Sequence, residues 1–174
     1  MVIYNIKLGF ARKKVAALLQ KRAFSEESKE VKSIVVLLDH AKTEIIDAFV
    51  KLRDFLKVNE QDFQLVLVTK ISAGKEDFKG LVITASEITW NGNFRSEEVR
   101  DFVHHKYDLL IAFPENENEL LNLMAAASTA SLKVARSKAE NDIFDISIAA
   151  KFEEPEIFIS ELKKYLKILN KIRE

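Results

Sequence analysis

Short, nearly unbroken apolar runs alternate along this chain with stripes of apolar residues at helical spacing, and that alternation constrains the fold more than any other feature. Residues 33–38, 64–69 and 107–113 are β-branched or leucine-rich runs of strand length. Runs of this kind belong to strands buried on both faces, as in a parallel sheet covered by helices. Between and after them, Ile45, Ile46, Phe49, Leu52 and Leu56 recur with a helical period, as do Phe158, Leu162, Tyr165, Leu166, Leu169 and Ile172 behind Pro155.

The remaining segments complete the pattern. Residues 81–90 read as extended, and the Asn91-Gly92 pair predicts a hairpin or a tight strand-to-helix turn. Ser96 followed by Glu97 and Glu98 starts a short helix that turns Val99, Phe102 and Val103 inward. Thr43 is placed to cap the helix over Ile45–Leu56, and Asn116 with Glu119 forms a capping box for one running to about Thr129. Residues 132–135 and 143–152 predict two further strands. The order is one helix, then β-α-β-β-α-β-α-β-β-α. It predicts a three-layer, Rossmann-like α/β fold with a mostly parallel sheet, helices on both faces and a crevice at the carboxyl ends of the strands. Segments 81–94 and 143–152 fit either direction at a sheet edge. Three units follow: a basic amphipathic helix over 1–24, with Leu8, Ala11, Val15, Leu18 and Leu19 as its stripe; a polar linker over 25–32; and one α/β domain over 33–174.

Charge is neutral in total and segregated in detail. Lys7, Arg12, Lys13, Lys14, Lys21 and Arg22 stand among the first 24 residues without a single acid, a local charge of +6. The last 13 residues, with Lys163, Lys164, Lys167, Lys171 and Arg173, carry +4, which leaves −10 on the body between. Basic ends on an acidic body point to an anionic partner. The sequence therefore nominates Lys7, Arg12, Lys13, Lys14, Lys21, Arg22, Lys163, Lys167 and Lys171 as the contact surface. The partner expected is nucleic acid (RNA, including ribosomal RNA) or an acidic protein. A membrane surface fits less well, because the amino-terminal stripe has no tryptophan anchor. The longest purely apolar runs have five residues, far short of the roughly 20 that span a bilayer. With no cysteine in the chain, the expected location is the cytoplasm.

Several chemistries are excluded outright. Without cysteine there is no disulfide, thiolate metal site or cysteine nucleophile. The four glycines, at 9, 74, 80 and 92, spell neither G-x-G-x-x-G nor a P-loop, so no cofactor is expected. The weak catalytic candidates are Asp39, His40 and Glu115, which follow predicted strands. They could act as a base with its orienter, or gather a divalent ion with Glu115 or Glu117. His104 and His105 are adjacent on a helix, about 100° apart, and cannot readily chelate one ion.

Three stretches then carry a likeness: Phe10-Ala11-Arg12-Lys13-Lys14, Tyr107-Asp108-Leu109-Leu110-Ile111, and Val134-Ala135-Arg136 leading to Asn141-Asp142-Ile143-Phe144-Asp145. Over nearly its whole length the chain resembles a bacterial family classed only as a domain of unknown function, with Ala135 where that pattern has glycine. Residues 107–136 are also similar to part of the amino-terminal half of heptosyltransferase-type glycosyltransferases. Those enzymes carry a glycine-rich loop after the first strand and a second, donor-binding domain. Neither is found in these residues, so the likeness implies topology and not glycosyl transfer. The function expected is that of a binding or adaptor module rather than an enzyme. The alternative is a small Rossmann-like transferase or hydrolase with a divalent ion at the strand carboxyl ends, and no standing metal site is assigned.

Overall fold

The computed structural model describes Lys13 and residues 30–70, 77–137 and 143–172. Six strands and four helices follow in the order β1 (Ile34–Leu38), α1 (Thr43–Phe55), β2 (Phe63–Thr69), β3 (Leu81–Thr84), α2 (Glu97–His104), β4 (Lys106–Phe113), α3 (Glu119–Ala127), β5 (Thr129–Arg136), β6 (Ile146–Ile148) and α4 (Pro155–Ile168). Every strand pairing is parallel, in the spatial order β3-β2-β1-β4-β5-β6. The two edge segments are therefore parallel as well.

Burial explains why the central strands are continuous apolar runs. All five residues of β1 are fully buried, with Ile34, Val36 and Leu38 on one face and Val35 and Leu37 on the other. The first set packs with Ile45, Phe49 and Leu52 of α1 and Phe158, Leu162 and Leu166 of α4. The second packs with Val99 and Phe102 of α2 and Leu120, Leu121 and Met124 of α3. Each face thus receives two helices, and the three-layer Rossmann-like architecture follows. Rings of Phe49, Phe113 and Phe158 meet edge to face, 5.1–6.3 Å apart, under α1 and α4.

The structure corrects several local expectations. Thr43 is the first helical residue of α1, and the cap position falls to Lys42, whose side chain makes no cap bond. The α3 cap is Asn118 rather than Asn116. Its side chain accepts from the Leu121 amide and also donates to Val68 O, tying the helix start to β2. That helix stops at Ala127, because Thr129 already belongs to β5. Ser96 caps α2 as expected, accepting from Val99 N, and Pro155 opens α4. Beyond β3 the chain enters a short 3-10 turn, then a small antiparallel bridge between Ile88 and Phe94 that closes over Gly92 at φ 76°. A left-handed residue there is what glycine supplies without strain. The predicted 143–152 strand contracts to three residues, since only Ile146–Ile148 meet a partner in β5.

The helix expected over 1–24 lies outside the described residues apart from Lys13, which is helical and exposed. Where the described chain resumes, Val31 is buried and its amide donates to Lys171 O at 2.9 Å. Asp108 fixes the same entry point: its Oδ2 accepts from Lys32 N, Ser33 N and Ser33 Oγ at 2.8, 3.0 and 3.1 Å. Among the described residues no helix is long and apolar enough to cross a membrane.

Candidate functional site

Strand order decides which polar residues meet. β1 and β4 are neighbours, but β1 leads into α1 on one face while β4 leads into α3 on the other. The loops at 39–42 and 114–118 therefore part at the carboxyl edge. That is the topological switch point, where open α/β sheets hold their ligands.

Asp39, His40 and Glu115 come together there. The Asp39 carboxylate, 9% exposed, accepts the Glu115 amide at 2.8 Å and stands 3.1 Å from His40 Nδ1. The other imidazole nitrogen, Nε2, lies 3.5 Å from Glu115 Oε2. Lys42 Nζ reaches Glu115 Oε1 at 3.2 Å and lies over the Phe152 ring. A neutral imidazole has one N–H to give, so facing carboxylate oxygens with both nitrogens is satisfied together only by the imidazolium. This is a charge network that spans the two loops. Glu117 is exposed on the second loop and takes no part in these contacts.

Arg136, at the end of β5, ties the cluster from beneath. Its Nε donates to Pro114 O at 2.8 Å, one terminal nitrogen to Ala150 O at 2.7 Å and the other to Glu115 O at 2.7 Å. Burial lowers its pKa, opposed by Asp39, Glu153 and Glu115. The guanidinium also stands over the rings of Phe113 and Phe152, which stack on each other. Lys42 and Phe152 carry no sequence signal of this site, and Arg136 figures in the sequence only within the Val134-Ala135-Arg136 stretch of the family likeness. An arginine ending a buried strand, next to a predicted crevice, was the available signal.

The cluster is built as a latch more than as an open ion cage. Among the described residues no three His, Asp or Glu side chains group so as to hold a metal ion. Each imidazole nitrogen addresses a different carboxylate, so the lone pairs do not converge on one point.

Of the other predicted surface, the carboxyl-terminal lysines lie at the opposite end of the sheet. Lys7, Arg12, Lys14, Lys21 and Arg22 fall outside the described residues. Lys167 and Lys171, from the carboxyl end of α4, line a cavity of about 940 Å³ together with Lys32 before β1 and Lys57 after α1. Glu30 and Asp62 line it too. The Val31–Lys171 hydrogen bond puts the incoming chain and the end of α4 side by side. Lys163 sits nearby, its Nζ 3.8 Å from the centroid of Phe55, which also lines the cavity.

A doubly wound, all-parallel α/β protein with a polar latch across its switch point is the class that fold and site define. The chain matches the profile of a family over residues 7–169. It belongs to that family, DUF6913, a family of unknown function. No curated protein and no solved structure is found to match it.

Proposed function

We propose that this protein is a cytoplasmic binding module that holds a single-stranded nucleic acid, RNA above all, through lysines gathered at the amino-terminal edge of its sheet. The observation that supports the reading is a gathering of lysines: Lys167 and Lys171 line one cavity with Lys32 and Lys57, where Val31 hydrogen-bonds to Lys171 just beyond the last helix. In the sequence, the stretch 1–24 before this point adds six bases and no acid. Clustered lysines bind phosphates by releasing counterions, without reading sequence.

The test is a salt titration of binding to a single-stranded RNA of mixed sequence, with the full chain and with Lys167→Gln/Lys171→Gln. Each phosphate contact adds about 0.7 to the slope of log K against log salt. The double variant should therefore lose roughly 1.4 of slope and bind more weakly at every salt concentration. An unchanged slope refutes the assignment. A partner from lysate that survives nuclease and is lost in the variant identifies an acidic protein instead.

The convergence of Asp39, His40 and Glu115 supports a second reading, a small transferase or hydrolase. A thermal shift with Mg²⁺, Mn²⁺ or a nucleotide that disappears in both Asp39→Asn and His40→Gln would favour it. No shift across that panel counts against it.

A further inference from the structure

We infer that the outer face of α4 is a self-association surface, which pairs antiparallel with α4 of a second copy of this chain. On that face lie Ile157, Glu161, Lys164 and Ile168, spaced four, three and four residues apart, so that they form one stripe along the helix. The isoleucines are 50% and 73% exposed, while Phe158, Ile159, Leu162 and Leu166 face the domain and are buried. Scattered exposed apolar residues are ordinary. A stripe complementary to its own reverse, with isoleucine at both ends and opposite charges between, is not.

Its symmetry selects the partner. A two-fold axis between residues 162 and 163 sets Ile157 against Ile168 of the other copy and Glu161 against its Lys164. The flanks agree, because acids (Glu154, Glu156, Glu161) occupy the amino half of the helix and bases (Lys163, Lys164, Lys167) its carboxyl half. Antiparallel pairing puts opposite charges together, whereas parallel pairing would oppose like charges. Within one chain Lys164 Nζ already lies 2.5 Å from Glu161 Oε1, so two copies would close a ring of four charges at the axis. An isologous contact of this kind closes on itself and stops at the dimer.

The contact is small. From Ile157 to Ile168 the helix rises about 16 Å, and a single helix pair of that length covers roughly half of the ~800 Å² per partner found in stable interfaces. A weak, transient dimer follows. This inference is independent of nucleic-acid binding at the cavity.

Sedimentation velocity of the full chain from about 5 to 500 μM tests it. The wild type should pass from monomer to dimer across that range. Ile168→Glu, at an exposed position that folding does not need, should weaken association more than ~10-fold, since the change falls twice in each dimer. Glu161→Lys and Lys164→Glu should each weaken it by about 5-fold, and the two together should restore it to within about 2-fold. Thermal melting of each variant confirms that folding is intact. A monomer at every concentration overturns the inference, as does a dimer indifferent to these substitutions. So does a monomer whose Ile168 is shielded from hydroxyl-radical labelling, which would mean that the chain's own amino-terminal segment covers the stripe.

Discussion

Replacing Arg136 by methionine tests whether the switch-point latch holds the domain together. The native guanidinium makes three hydrogen bonds of 2.7–2.8 Å to Pro114 O, Glu115 O and Ala150 O, so one side chain fastens the segments after β4 and β6. Hydrogen bonds to a charged group each contribute about 1.5–3 kcal/mol in the protein interior. They do not add here. The side chain is only half-buried, so water can reach some of the abandoned carbonyls, and the hydrophobic stem of methionine keeps part of the packing on Phe113 and Phe152. The change also strips a cation from beside Asp39 and Glu115. Together these considerations give a loss of about 2–4 kcal/mol. Urea unfolding should show this as a midpoint lowered by roughly 1–2 M with an unchanged slope. Arg136→Lys, a point charge that reaches one carbonyl at a time, should recover no more than about a third of the loss.

Amide exchange supplies a second readout. The Glu115 amide is held by Asp39 Oδ1 and belongs to the loop that Arg136 anchors, so it should exchange faster in Arg136→Met than global destabilisation alone predicts. Amides of β1 should report only the global change. A methionine variant within about 0.5 kcal/mol of wild type, or one in which Glu115 and β1 accelerate equally, would refute the reasoning.

Two other perturbations are direct. Asp108→Asn removes the charge behind three hydrogen bonds to Lys32 N, Ser33 N and Ser33 Oγ, and should cost about 2–3 kcal/mol in urea while freeing residues 30–33 to early proteolysis. Tyr107 is buried with its hydroxyl on Gln64, and burial raises its pKa from 10.0 to about 12. The folded state therefore favours the neutral phenol. The resulting stability is fully present below pH 10 and is lost as pH rises toward 12, by about 1–2 kcal/mol once solvent screening is allowed for. Absorbance at 295 nm should show a late tyrosine step near pH 12, and Tyr107→Phe should remove it.

What could be read from the chain alone follows from where each residue's partners lie. Central strands write their burial into local sequence: β1 is five fully buried residues, and the run announces it. Edge strands do not. β3 and β6 are paired on one side only, and their half-exposed residues blur the pattern, so both predicted strands came out too long. The α3 cap falls on a different residue from the expected one for a related reason, whereas Ser96 caps α2 as expected. Two candidates, Asn116 and Asn118, carry equal local propensity, and it is Val68, some 50 residues away, that selects Asn118. Asp39, His40 and Glu115 were legible as polar residues after strands, but their meeting depends on β1 lying beside β4, and alternation of strands and helices leaves that order open. Arg136 and Asp108 act on backbone atoms 14 to 76 residues away, so nothing local in the sequence names their partners.

The lysines at the amino edge of the sheet admit a purely structural account, and its magnitudes separate it from binding. Every helix in a parallel α/β fold ends at this edge, and the negative end of a helix dipole favours a nearby cation by about 0.3–1 kcal/mol within the last turn. Lys167 sits in the last turn of α4, and Arg53 plays that part on α1. Lys32 precedes a strand and sits in the last turn of neither helix, yet lines the same cavity. If dipoles were the whole reason for these charges, Lys167→Gln should lower stability by about 0.5 kcal/mol while Lys32→Gln changes nothing, and neither should alter RNA binding. If the cluster serves a polyanion, the two variants should lose binding alike, each reducing the salt slope by about 0.7, whatever happens to stability. Equal loss of binding from Lys32 and Lys167, with unequal loss of stability, is the outcome that a shared phosphate surface requires. Loss of binding from Lys167 alone would trace the effect to the helix end.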